Sequence, residues 1–199
     1  MSNPTEEDWE AVMQIFGYLK KTKDLGISYH VKHVGKLNIN GYADADFAAD
    51  YLDRKSRTGY IIFLNDCPII WKSRKQRSVA ISTMESEYMS ASDATQDLIW
   101  VTQVLNELDL EEQVTCSLNM DNQAAIKIAE NAESNHRSKH IDIRYHFIRE
   151  KVKENKVKLI FTPTAEMIAD TLTKPLPRPL FEKLRTMTGV TEKDLLGES

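Results

Sequence analysis

GYIIFLNDCPIIWKS, residues 59–73, is the stretch whose reading decides the fold. Two apolar runs flank Asn65-Asp66, a pair suited to the left-handed backbone of a two-residue hairpin turn. The stretch therefore reads as strand, tight turn, strand. Just upstream, LNINGYAD (residues 37–44) alternates Leu37, Ile39 and Gly41 with Asn38, Asn40 and Tyr42. That is the period of a strand with two distinct faces. A polar loop containing DRKSRTG joins the two regions, so three consecutive strands form an antiparallel meander.

Beyond the meander the period changes. From Thr83 to about Leu108, residues Met84, Tyr88, Ala91, Leu98, Val101, Leu105 and Leu108 recur near a 3.6-residue spacing, with Ser82 or Thr83 as the cap of a long helix. VTCSLNM (114–120) is a strand with Val114, Cys116, Leu118 and Met120 on one face. A helix opens near Asp121 and runs through NQAAIKIAE, and HIDIRYHFIREKVKE forms another. VKLIFT (157–162) is a strand, and a short helix follows from about Ala165 to Lys174, stopped by Pro175. A last helix spans about Leu180 to Met187. Ahead of the meander, residues 5–21 form an amphipathic helix capped by Thr5 and Asp8, with Trp9, Val12, Met13, Phe16 and Leu19 on its apolar side. A short strand, ISYHV, follows Gly26. This order places the chain in the α/β class: one mixed five-stranded sheet, antiparallel first and parallel later, flanked by helices.

Composition narrows the function classes. The net charge of −4 argues against a general nucleic-acid binder. Its distribution is uneven, because Lys72, Arg74, Lys75 and Arg77 cluster, as do Arg54, Lys55 and Arg57. Each cluster reads either as a phosphate-contacting strip or as a solvated loop. No apolar run approaches the roughly 18 residues of a membrane span, and the acidic start MSNPTEEDWEAV lacks the pattern of a secretory signal. Cys67 and Cys116 stand far apart and outside any CxxC spacing, which favours a reducing, intracellular compartment over a disulfide framework. Cytoplasmic particle and nucleus are not distinguished.

Four carboxylates stand out. Asp44 closes the first long strand, although Asp46 and Asp50 allow an acidic loop there. Glu87 lies on a helix side with small residues, although it could be a surface companion of Glu85. Asp121 follows an apolar strand and begins a helix, where aspartate is also a favoured N-cap. Asp170 sits inside a short helix, where aspartate has poor propensity. Metal-assisted phosphodiester cleavage needs hard oxygen ligands gathered in this way, with Mg²⁺ taking one or two carboxylates plus water and phosphate oxygens. Two such ions about 3.5–4 Å apart would serve the attacking and leaving oxygens.

Taken in order, these residues sit within long strings: GYADADFA, DRKSRTGYIIFL, WKSRKQRSVAISTMESEYMSAS, MDNQAAI, SKHIDIRYHFIREKV, and TPTAEMIADTLTKPLP with FEKLR beyond. The strings resemble the ribonuclease H region of copia-type retrotransposon Pol polyproteins over nearly the whole chain. The N-terminal EEDWEAVMQIFGYLKKTKDLGISY is similar to the end of the reverse transcriptase region that precedes it. The resemblance implies residues 1–36 as a reverse transcriptase remnant (helix plus strand), 37–175 as a ribonuclease H domain and 176–199 as a helical tail. It implies an RNA–DNA hybrid as substrate, two Mg²⁺ ions with Mn²⁺ as a substitute, and the reverse transcriptase polymerase region as partner.

The resemblance also assigns roles. Asp44 matches the aspartate bridging both metals, and Glu87 the glutamate that binds one metal and reaches the RNA 2′-hydroxyl. Asp121 matches the aspartate sharing that metal, and Asp170 the aspartate on the nucleophile side. Asp46 and Glu85 are near-register alternatives. One departure is visible. Many ribonucleases H carry a histidine in the loop before the last aspartate, whereas TPTAEM (162–167) has only Glu166 as an ionisable group.

Other residues carry weaker readings. His136 and His140 are four apart and His146 follows, but no cysteine or glutamate completes a zinc site in the HExxH manner. His140 reads as a helix cap or a nucleic-acid contact, and Trp71 as a stacking platform or, more commonly, a core residue. Asn122 and Gln123 read either as helix N-terminal polarity or as contacts to the minor groove of a hybrid, where 2′-hydroxyls distinguish RNA from DNA. Two other functions compete with an endoribonuclease: a catalytically silent interaction module on the same fold, and a transposase or integrase. The last needs an Asp–Asp–Glu set, whereas the order here is Asp–Glu–Asp–Asp.

Overall fold

Strand β2 (Leu37–Asp46) is the middle of a five-stranded sheet in the computed structural model. The model describes residues 4–29, 36–110, 114–130 and 139–192. β2 pairs antiparallel with β3 (Arg57–Leu64), which pairs antiparallel with β4 (Cys67–Lys75). On its other side β2 pairs parallel with β5 (Val114–Met120), and β5 with β6 (Lys158–Phe161). The sheet order is β4-β3-β2-β5-β6, the meander followed by parallel strands that the sequence predicts. Asn65 and Asp66 both adopt positive φ (49° and 66°), so Leu64 and Cys67 face each other across a two-residue turn. The register shifts beside it, between Ile62 and Phe63. Pro68, which has no N–H to give a ladder, sits opposite Phe63 at this irregularity.

Helix α2 (Thr83–Glu107) covers one face of the sheet. Ser82 caps it by accepting a hydrogen bond from the Glu85 N–H, and Glu85 accepts one from the Ile81 N–H (2.7 Å). Tyr88, Ala91, Ala94, Leu98, Val101 and Leu105 pack on Ile39, Ala43, Tyr60, Ile62, Leu118 and Met120 in one core. The small residues let the helix lie close. A side chain at Gly41 would meet Leu118 and Leu98 at 3.1–3.2 Å. Helices α3 (Gln123–Glu130) and α4 (Lys139–Lys153) complete this layer. Tyr145 of α4 stacks on Tyr88 with ring centroids 3.7 Å apart, and Arg144 donates to the Met89 carbonyl.

On the opposite face, Ile61 and Phe63 pack with Ile168, Tyr42 and Leu172. The segment after β6 differs from the sequence expectation. In place of a helix from Ala165 to Lys174 there are two short 3₁₀ turns, Thr164–Glu166 and Ile168–Leu172. Their bonds run three residues back, Met167 N–H to the Thr164 carbonyl and Asp170 N–H to the Met167 carbonyl. The segment lies tightly over β3. A Cβ on Gly59 would meet Thr173 Cγ2 at 2.5 Å, Leu172 Cβ at 2.9 Å and the Ala169 carbonyl oxygen at 3.1 Å.

Two segments far apart in the sequence also meet each other. The early strand is β1 (Leu25–Ile27), which begins ahead of the expected ISYHV, and pairs antiparallel with β7 (Val190–Glu192) in a separate two-stranded sheet; His30 and Val31 of that expectation lie outside the described residues. Helix α5 (Arg178–Met187) precedes β7, and its Phe181 makes an edge contact with Tyr18. That tyrosine belongs to helix α1 (Glu6–Lys21), whose Thr5–Asp8 capping box forms as the sequence predicts. α1 buries none of its residues, and Trp9, Met13, Phe16 and Leu19 stay exposed. Trp71 is also no core residue. It is half exposed on the rim of an apolar groove with Ile27, Ile61, Leu172 and Phe181. Among the described residues, no helix is long and apolar enough to cross a membrane.

Candidate active site

Asp44, Glu87 and Asp121 converge although β2, α2 and the end of β5 carry them separately. Each offers a ligand oxygen, and these atoms all lie within 4.8 Å of one another. They line a cleft of about 630 Å³ together with Asp46, Asn122, Gln123 and Lys174. Asp44 is 1% exposed and registers opposite Gly59 of β3. Glu87 is 5% exposed, and its Oε2 has no hydrogen-bond partner among the described residues. Burial, followed by the charges of Asp44 and Asp121, pushes the Glu87 carboxyl up to about 9. Asp121 stands just past β5, where Thr164 Oγ1 donates to its Oδ2 at 3.0 Å.

Asp170 is fully buried beside this group, at the second 3₁₀ turn. Burial and then the neighbouring Asp44 raise its carboxyl to about 7, against the pull of the Lys174 ammonium. Lys174 Nζ lies 3.0 Å from Asp170 Oδ1 and 3.7 Å from Asp44 Oδ2. The hydroxyl of Thr173 donates to the same Asp44 oxygen. Gly59 admits this arrangement, because the chain from Ala169 to Thr173 passes over it with no room for a side chain.

These residues fit a divalent cation. Hard carboxylate oxygens gather at one point, and a buried glutamate oxygen without a hydrogen bond is costly unless a positive charge meets it. Asp44, Glu87 and Asp121 would hold one ion.

The near-register alternatives separate cleanly. Glu85 spends its carboxylate on the start of α2, at the Ile81 N–H, and lies outside the cluster. Asp46 lines the cleft but is not one of the three converging acids. Asp121 is not the cap of α3. Asn122 is, accepting from the Ala125 N–H at 3.0 Å, so its oxygen is engaged while it lines the cleft. Gln123 lines the cleft as well.

Three of the four clustered cations are paired with acids. Lys72 meets Asp97 at 2.8 Å, Arg74 meets Asp93 at 2.6 Å, and Lys75 meets Asp50 at 2.7 Å and Asp53 at 3.0 Å. Arg77 is exposed. His136 and the side chain of His140 lie outside the described residues, and His146 is exposed on α4. Four residues that sequence reasoning passed over matter here: Gly59, Thr164, Thr173 and Lys174. The one local signal was the four-residue spacing of Asp170 and Lys174, which suits an ion pair.

No family model matches the chain. It is 36% identical over 190 residues to the retrovirus-related Pol polyprotein from transposon RE2 of Arabidopsis thaliana, covering 96% of this chain and 13% of that one. It is 38% identical over 195 residues to the retrovirus-related Pol polyprotein from transposon TNT 1-94 of Nicotiana tabacum, covering 96% of this chain and 14% of that one. The chain thus spans only about an eighth of these curated relatives. Among solved structures it resembles LC11-RNase H1, isolated from compost, with a TM-score of 0.52 and 14% identity over 75% of this chain and 98% of that one. The same protein has been solved in complex with an RNA/DNA hybrid, and that structure matches with a TM-score of 0.50 and 15% identity over 69% of this chain and 94% of that one. At such identities the likeness concerns the fold.

Proposed function

The chain belongs to the family of copia-type retrotransposon Pol polyproteins and has the ribonuclease H fold, and from that premise we propose that it hydrolyses the RNA strand of RNA–DNA hybrids. The observation that carries this reading is the convergence of Asp44, Glu87 and Asp121 around a buried, unpartnered Glu87 oxygen. Divalent ions, Mg²⁺ or in its place Mn²⁺, would supply activation of the attacking water and neutralisation of charge on the leaving oxygen.

The protein's own residues set the stage. Asp44 belongs to both halves of the centre, and the Thr173 hydroxyl orients it. Thr164 orients Asp121 through its Oδ2. Glu87 would serve an ion and the RNA 2′-hydroxyl together. Asn122 and Gln123, on the cleft wall, contact the minor groove of the hybrid, and Arg77 with Lys72, Arg74 and Lys75 faces its phosphates. The products are a 5′-phosphate and a 3′-hydroxyl. We place residues 37–175 as the nuclease domain and the preceding polymerase region of a Pol polyprotein as its partner, against the exposed apolar side of α1. Such a partner would grip the hybrid, which a chain of net charge −4 holds weakly by itself.

A labelled hybrid incubated with Mg²⁺ tests the proposal. The unmodified chain is expected to cut the RNA strand and leave the DNA intact, with no cutting in chelator. Asp121→Asn should lower the rate at least ~100-fold, the scale on which removal of a charge-stabilising group acts. A folded chain that cuts nothing with either metal is a silent module on the same fold, and one that cuts duplex DNA but not hybrid is a transposase-like nuclease.

A further inference from the structure

The two halves of the acidic centre are not equivalent. Glu87 and Asp121 make no ion pair among the described residues, and Glu87 Oε2 is buried with nothing to meet it. Asp170 Oδ1 and Oδ2 are likewise buried without a hydrogen bond, but Asp44 and Asp170 have a cation beside them, Lys174, at 3.7 and 3.0 Å. Among the described residues lining the cleft it is the only cationic side chain. Two carboxylates exposed by 1% and 0% need such a charge, because a buried unpaired pair of like charges is expensive.

Lysine suits a replaceable counter-ion. Its ammonium is a point charge on a flexible four-carbon stem, where arginine would lock into a planar fork. Its side chain keeps 32% exposure toward the cleft, so it has somewhere to go. Its backbone stays in place: the Lys174 N–H donates to the Asp170 carbonyl, and Thr173 beside it is tied to Asp44.

We infer that Lys174 is the resident counter-ion of the Asp44–Asp170 half, so that the resting chain takes one divalent ion, on Asp44, Glu87 and Asp121, and admits a second only by displacing the ammonium. The inference rests on the metal-dependent reading above. It also supplies an order of events: a hybrid phosphate in the cleft adds negative charge, which offsets the repulsion between a second ion and the displaced ammonium nearby. Ion count and substrate binding are thereby coupled.

Calorimetric titration of the whole chain with Mn²⁺, without nucleic acid, tests this, together with the count of bound Mn²⁺ by electron paramagnetic resonance. The unmodified chain should bind one ion. Lys174→Gln should bind two, the second on the order of 10-fold tighter than any second ion in the unmodified chain. Lys174→Arg should keep the count at one. Lys174→Gln should also melt lower than the unmodified chain in chelator and recover in Mn²⁺. If it folds only when refolded with Mn²⁺, the counter-ion role stands. If Mn²⁺ does not rescue its folding, the lysine acts by packing and the inference fails. An unchanged count and affinity in Lys174→Gln, two tight ions in the unmodified chain, or a second ion in Lys174→Arg each overturns the inference while leaving the metal centre intact. Absence of Mn²⁺ binding in the unmodified chain overturns both readings.

Discussion

The acidic centre is built from two kinds of structure. Asp44, Glu87 and Asp121 stand on a central strand, the first turns of a 25-residue helix and the end of a parallel strand. Asp170, Thr173 and Lys174 stand on or just past a 3₁₀ turn held down by its fit over Gly59. In the first region, regular hydrogen-bonded elements aim the side chains, and the core on the α2 face keeps those elements in place. In the second, position depends on one close approach and a small apolar cluster, Ile61, Phe63 and Ile168 with Tyr42 and Leu172. The comparison separates the roles. The rigid region presents Glu87 and Asp121 without an ion pair among the described residues, and the irregular one brings Asp170 with its own cation, which also reaches Asp44. Irregular segments open more readily than packed helices and sheets, which suits the part of the site that, on the inference above, yields to a second ion.

Gly59→Ala would strike the irregular region hardest. Its new methyl meets Thr173 Cγ2, Leu172 Cβ and the Ala169 carbonyl oxygen, of which the last cannot rotate away. We expect a loss of about 2–3 kcal/mol of stability, the upper part of the overpacking range. Protection from amide exchange should fall first at 168–174, while α2 keeps its own. Equal loss of protection in both regions would mean that the two do not differ as described.

A smaller effect sharpens the view of the rigid region. In metal-free protein Glu87 keeps its proton up to about pH 9 when folded, whereas an unfolded glutamate releases it near 4.5. Between those values the unfolded state binds fewer protons than the folded state, so this group lowers stability progressively as pH rises through the window. The metal-free chain should therefore lose several degrees of melting temperature between pH 5 and pH 8 that Glu87→Gln does not lose. Saturating Mg²⁺ should flatten the curve of the unmodified chain. A Glu87→Gln profile parallel to that of the unmodified chain would show that Glu87 is not buried as a proton-holding acid.

The smallest effect concerns the acid beside it. Glu85→Ala removes the acceptor of the Ile81 N–H at the start of α2 and should cost about 1 kcal/mol in thermal melts, the usual worth of a cap. Hybrid cleavage per folded chain should stay within about twofold of the unmodified rate, a difference of only ~0.4 kcal/mol in barrier. A loss on the scale of Asp121→Asn would place Glu85, not Glu87, in the centre.

Much of this molecule is legible in its residue pattern. Alternation in LNINGYAD and GYIIFL, the Asn65-Asp66 turn and the Ser82 cap are local signals. They place β2, β3, β4 and α2 within a residue or two. The 3₁₀ turns escaped because IADTL carries the apolar spacing of a helix while its hydrogen bonds are set by what lies beneath it. The string KHIDIRYHFIRE was recognisable but chemically mute. Tertiary structure shows two of its residues at work in packing, Arg144 on the Met89 carbonyl and Asp93, and Tyr145 on Tyr88. The basic strip looked free in sequence because Asp50, Asp53, Asp93 and Asp97, which pair with it, lie 19 to 25 residues away.

By itself, then, the sequence determined the meander, the long helix and the order of the later strands, because periodicity, turn chemistry and capping act over a few residues. The carboxylates stood out as a set only through the resemblance of the strings that carry them. Only the tertiary structure decided that Asp44, Glu87 and Asp121 share one point, that Glu85 does not, and that Lys174 stands between Asp44 and Asp170. Those facts join residues up to 130 positions apart. They depend on how a sheet, a helix and an irregular turn pack together, which local residue pattern does not encode.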